Sequence, residues 1–165
     1  MRAIKPKIVT IGVYGFDEAG FYLSLQEARV DTFCDIRQRR GVRGATYAFA
    51  NSQRLQARLA QLGIAYLYRK DLAPTKTVRS RQLEADRVTK TAKRRRTRLG
   101  AAFVEAYVTE CLSHFQPQSL MDDLEPNARV VALFCVEREP KACHRALVAD
   151  KLAKELDLEV EHILP

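Results

Sequence analysis

Val130-Val131-Ala132-Leu133-Phe134-Cys135-Val136-Glu137-Arg138-Glu139-Pro140-Lys141-Ala142-Cys143-His144-Arg145-Ala146-Leu147-Val148-Ala149-Asp150 is the stretch on which the fold turns. Its first five residues form an unbroken apolar run, the mark of a strand covered on both faces. Cys135, Val136 and Glu137 follow, then a short turn containing Pro140, and Cys143-His144-Arg145 opens a helical pattern. Pro140 fits just ahead of that helix, where its missing N–H does little harm. In open α/β sheets, polar groups just past the carboxyl ends of strands face a crevice. Two thiols, a carboxylate, an imidazole and a guanidinium are therefore expected at one strand-to-helix switch.

The same alternation runs upstream and downstream. Residues 7–13 are β-branched and apolar, residues 31–36 end in Asp35 and Arg37, and residues 64–68 read Ile-Ala-Tyr-Leu-Tyr; each reads as a strand. Asp17 caps an expected helix over 17–28, and Asn51 or Ser52 caps the next, whose Leu55, Leu59 and Leu62 repeat before Gly63 closes it. Residues 77–90 read as a charged helix, and 100–115 as another that Pro117 stops. The fourth strand is expected over 130–136, the last helix over 143–156, and an edge strand over 159–164. Strands alternating with helices imply parallel βαβ units with right-handed crossovers. The prediction is a single three-layer α/β domain over 1–165. Its mostly parallel sheet has four or five strands, with helices on both faces and a basic insertion at about 75–99.

Composition bounds the function. A chain of 165 residues, 47% hydrophobic and 29% charged, is large enough for one proper core. No apolar stretch approaches the roughly 20 residues of a membrane helix, and the four cysteines are too sparse for a disulfide scaffold. A soluble, cytoplasmic protein with reduced thiols and no membrane partner is expected. The net charge is +8, and residues 69–98 carry all of the excess, with twelve Lys or Arg against three acids. The densest part is 90–98, where Arg94, Arg95 and Arg96 are consecutive. A second basic group, Arg37 to Arg40 with Arg43, follows the second strand. Clustered cations attract polyanions through counterion release, so a nucleic acid or another phosphate-bearing partner is expected, although a solvated surface would carry the same charges.

The candidate site joins the ends of the second and fourth strands. Glu137 or Asp35 would act as general base and His144 as acid or orienting partner, with Cys143 or Cys135 as a less favoured nucleophile. Arg37 and Arg145, with the amino end of the last helix, would bind phosphate, and Arg79, Arg94, Arg95 and Arg96 would hold a polyanion. Plain structural readings stand beside these. Cys34 and Cys111 read as core filler, Asp35–Arg37 as a structural ion pair, and Glu137 as a cap or a partner of Arg145. No cofactor or metal is expected: there is no C-x2-4-C knuckle, and adjacent Cys143 and His144 would point apart on a helix. Rival readings are a non-catalytic nucleic-acid-binding module and a thiol-based redox or sulfur-handling protein.

These residues make the chain resemble a bacterial and archaeal family, domain of unknown function 488. The resemblance rests on Thr10-Ile11-Gly12, Asp35-Ile36-Arg37, Phe49 and Asn51, and Gly63-Ile64-Ala65-Tyr66. Above all it rests on Cys135-Val136-Glu137 followed by Cys143-His144-Arg145. It covers nearly the whole chain and is similar to the branch with a long charged middle segment. Many members carry His-Ser after Ile-Gly where this chain has Val13-Tyr14, so no role of that His transfers. The resemblance implies a small α/β fold with a polar pocket at the motif, and names no reaction.

Overall fold

Five strands pair side by side, every neighbouring pair parallel: β1 (Lys7–Ile11), β2 (Thr32–Asp35), β3 (Ala65–Tyr68), β4 (Val130–Phe134) and β5 (Val160–Ile163), in the order β3-β2-β4-β1-β5. The computed structural model describes residues 4–92 and 96–165. Among these, six α-helices connect the strands: α1 (Glu18–Glu27), α2 (Ser52–Gln61), α3 (Lys76–Thr89), α4 (Ala101–Glu110), α5 (Pro117–Asp123) and α6 (His144–Leu156). The expected three-layer α/β architecture is present, and its sheet is wholly parallel. No helix among the described residues is long and apolar enough to cross a membrane.

Alternation along the strands divides the core in two. Phe33, Ala132 and Phe134 face one side with Phe21 and Leu25 of α1 and Leu55 and Leu59 of α2. Cys34, Val131 and Leu133 face the other, against Val78, Phe103, Tyr107, Leu120, Val148 and Leu152 from α3 to α6. β4 lies at the centre, which is why its run is unbrokenly apolar. Its neighbours β2 and β1 send their crossovers to the first face, while β4 sends α6 to the second. Such a reversal opens a crevice beyond the carboxyl ends of the strands.

Three sequence boundaries move. Strand pairing stops at Ile11 and Phe134, two residues earlier than expected on each strand, because the regular ladder ends there: Val13 N and Tyr14 N both donate to the one Val136 carbonyl. The helix expected over 100–115 ends at Glu110, and a tight 3-10 turn covers Leu112–His114. Pro117 then starts α5 rather than stopping anything, since a first-turn residue needs no N–H.

The charged excursion after β3 packs on the body of the fold. Thr75 caps α3 through Val78 N, and Gln82 of α3 accepts from Gly100 N at 2.7 Å. A Cβ at position 100 would lie 3.2 Å from that of Ala85, so glycine keeps the two segments close. The Leu99 amide donates to the Lys141 carbonyl, which fixes the return leg beside the β4–α6 turn.

Candidate active site at the carboxyl ends of the strands

A cavity of about 410 Å³ opens beyond β2 and β4. Arg37, Gln38 and Arg39 line it from the end of β2, Cys135 and Glu137 from the end of β4, and Cys143 and His144 from the start of α6. Tyr14 after β1 and Arg79, Gln82 and Arg96 from the excursion complete the wall. The two strand ends do converge, because β2 and β4 are paired neighbours in the sheet.

Cys135, Cys143 and His144 form the deepest part, all three buried. Their sulfur and nitrogen atoms lie within 4.8 Å of one another. The expectation that Cys143 and His144 diverge fails for a local reason. Cys143 is the N-cap of α6, with extended φ −138° and ψ 147°, so its sulfur swings to 3.6 Å from His144 Nδ1. His144 Nε2 lies 2.9 Å from the Ile36 carbonyl at the end of β2. A carbonyl only accepts, so Nε2 carries the hydrogen. Hydrogen bonding with Cys143, together with burial, pushes the Cys135 thiol up to about 12. Burial works against the His144 imidazolium, but the Cys135 sulfur, the Ile36 carbonyl and Glu137 outweigh it and raise its pKa above 6.5.

Glu137 is 4% exposed, and its carboxylate has a different partner on each oxygen. Oε2 accepts from Cys135 Sγ at 3.4 Å, and Oε1 faces Arg96 Nη1 at 3.5 Å. Arg96 also pairs with Asp86 of α3 at 2.5 Å, and its Nε is buried with no hydrogen-bond partner. Arg96 was expected on an open polyanion-binding face. It turns inward because two acids, Glu137 and Asp86, await it there. Gly12 supports the backbone behind Glu137: a Cβ at position 12 would lie 1.7 Å from the Glu137 carbonyl oxygen.

Asp35 and Arg145 are not among the cavity-lining residues. The Asp35 carboxylate takes a bidentate pair from Arg37, at 2.9 and 2.8 Å, together with the Tyr66 hydroxyl at 2.7 Å. Burial and this carboxylate help push Tyr66 up to about 12. With these donors on its oxygens and 0% exposure, Asp35 ties the end of β2 to Arg37 and Tyr66. Arg37 also donates to the Ala50 carbonyl at 2.9 Å and lies over the Phe134 ring. Arg145, likewise 0% exposed, donates to the Glu137 and Arg138 carbonyls at 2.6 and 3.0 Å. It braces the β4–α6 turn from behind instead of presenting a cation to the cavity. Cys34 and Cys111 sit in the second core, as expected of filler.

The rim is basic. Arg39 and Arg43 are exposed and form no ion pair among the described residues, while Arg79 is held by Gln38 at 3.2 Å. The loop of Arg39 and Arg43 is pinned by Asn51, the expected N-cap residue of α2, whose side-chain oxygen accepts from Val42 N at 2.6 Å rather than from an amide of the helix. Ser52 N donates to the Arg40 carbonyl from the same place. Arg94 and Arg95 lie outside the described residues. The sequence reading gave no site role to Asp86, to Gly12 or to the Ile36 carbonyl, although Gly12 and Ile36 stand in the motifs that carry the resemblance. Only Gly12 left a signal, as a glycine directly after a buried strand.

A parallel three-layer α/β domain with a polar cavity at its topological switch is the class that this geometry defines. The chain belongs to the family called domain of unknown function DUF488, whose sequence model matches residues 19–152, from the start of α1 to the last turns of α6. No curated protein and no solved structure matches the chain.

Proposed function

We propose that the cavity is the active site of an enzyme acting on a phosphate-bearing substrate, a nucleic acid or a nucleotide. The observation that carries this reading is the lining of one cavity: the exposed arginines Arg39 and Arg43, with a buried carboxylate, two buried thiols and a buried imidazole. Arg39, Arg43 and Arg79 would hold phosphate, with Arg37 below them. Glu137, the one carboxylate among the described residues lining the cavity, would be the general base, and His144 would be acid or orienting partner. Cys135 is a poor nucleophile here, since a thiol with its pKa pushed up to about 12 holds its proton at neutral pH.

Fluorescence anisotropy with single-stranded DNA and RNA oligonucleotides measures binding, and mass spectrometry of the same mixtures and of nucleotides detects product. Glu137→Gln should lower turnover by about 10²- to 10⁴-fold, the usual contribution of an acid–base group, and leave binding nearly unchanged. Undiminished turnover in this variant would remove Glu137 from the mechanism. Salt-sensitive binding without turnover by the wild-type chain would favour the non-catalytic nucleic-acid-binding reading.

A further inference from the structure

Holding and cleaving a phosphate-bearing substrate does not by itself require two thiols beside an imidazole. Cys135 and Cys143 are separated by a turn and come from different elements, yet both converge on His144 with all three ligand atoms within 4.8 Å. Tetrahedral zinc, with sulfur at about 2.3 Å and nitrogen at about 2.0–2.1 Å, places a sulfur and a nitrogen ligand roughly 3.6 Å apart and two sulfurs roughly 3.8 Å apart. The Cys143 Sγ to His144 Nδ1 distance is 3.6 Å.

The imidazole is also oriented for the purpose. Its Nε2–H is committed to the Ile36 carbonyl, which leaves Nδ1 as the nitrogen facing the sulfurs. A backbone carbonyl behind the ring is the outer partner that metal-bound histidines commonly have. Two soft thiols and an imidazole select zinc or a similar thiophilic ion over magnesium or calcium. Three protein ligands, rather than four, are the mark of a catalytic zinc site with one position left open. All three ligands border the cavity, and so does Glu137.

We propose that Cys135, Cys143 and His144 bind one zinc ion whose fourth coordination position opens into the cavity beside Glu137. Binding replaces the two thiol protons, which leave to solvent. A zinc ion held there would activate a bound water for hydrolysis, and Glu137 lines the same cavity. The hydrolytic consequence rests on the active-site reading above, while the ion site rests on ligand geometry alone.

The full chain is stripped with a chelator, kept under a non-thiol reductant without oxygen, and titrated with cobalt(II) and then with zinc. The expected result is one cobalt ion per chain, with the near-ultraviolet thiolate-to-cobalt band and the visible bands of a tetrahedral site, all lost when zinc displaces it. Zinc should protect Cys135 and Cys143 from iodoacetamide in the wild-type chain, a measurement that needs no variant to fold. Cys143→Ala and His144→Ala should weaken zinc binding by at least about 100-fold, since losing even an outer partner of a ligand costs 10- to 100-fold. Cys111→Ser and Glu137→Gln should retain the ion. A missing thiolate band, a band that survives Cys143→Ala in a chain with unchanged circular dichroism, or labelling of both cysteines unaffected by zinc would overturn the site. Oligonucleotide anisotropy on the same samples separates the two ideas: loss of the cobalt spectrum leaves phosphate binding to stand, and loss of phosphate binding leaves the ion site to stand.

Discussion

Arg145 illustrates how far a residue's chemistry depends on its neighbours. In the sequence it reads as a phosphate clamp, and its replacement by alanine would be expected to end turnover while sparing the fold. In the structure its guanidinium is fully buried and holds two main-chain carbonyls of the β4–α6 turn. Each buried carbonyl left without a donor costs about 1–3 kcal/mol, and the vacated volume adds to that. Arg145→Ala should therefore lower stability by roughly 3–5 kcal/mol in urea unfolding. A variant as stable as the wild type would contradict the bracing role. Cys143 shows the opposite lesson. Residue types alone placed it near the site, but its approach to His144 depends on an extended backbone at the cap that no residue pattern announces.

Elements were legible where burial is continuous. The apolar run 130–134 marked β4 because both its faces are covered, whereas its expected extension to 136 failed because apolarity outlasts the ladder. α5 was missed because Pro117 breaks a helix interior and begins a helix equally well. β5 was expected as an edge strand and is one, pairing with β1 alone. Across that pair, His162 Nδ1 lies 2.7 Å from Thr10 Oγ1. Burial, helped by the Arg145 charge, holds the His162 pKa below 6.5. The unfolded chain therefore takes up this proton first. The contribution of His162 is complete above about pH 6.5 and is lost as pH falls through the lower folded value. Urea midpoints followed downward from neutral pH should drop more in the wild type than in His162→Gln, but only slightly, because the ring is partly covered while the residue as a whole is exposed and the effect is screened. Parallel curves would remove His162 as the source.

Over the whole molecule, the alternation of strands and helices was enough to give three layers and a parallel sheet. Strand order was not contained in it: the pairing of β2 with β4 brings their ends together, with Arg37, Cys135, Cys143 and His144 on the cavity and Asp35 and Arg145 off it. Charge was legible as a quantity but not residue by residue. The basic run of residues 90–98 sends Arg96 inward, while Arg39 and Arg43, from the less dense group, stand exposed at the mouth. If both touch phosphate, the slope of log K against log salt for a single-stranded oligonucleotide should shrink by about 1.4 in the double alanine variant, at about 0.7 per contact on a single strand. An unchanged slope would move the polyanion path elsewhere.

Gly12 has a consequence out of proportion to its size. Any amino acid with a first side-chain carbon would drive that atom to within 1.7 Å of the oxygen behind Glu137. The reach of the acid at the base of the cavity is thus gauged by a bare α-carbon on the adjoining strand, which itself offers no reactive group. Redesign of this protein has no latitude at this spacer.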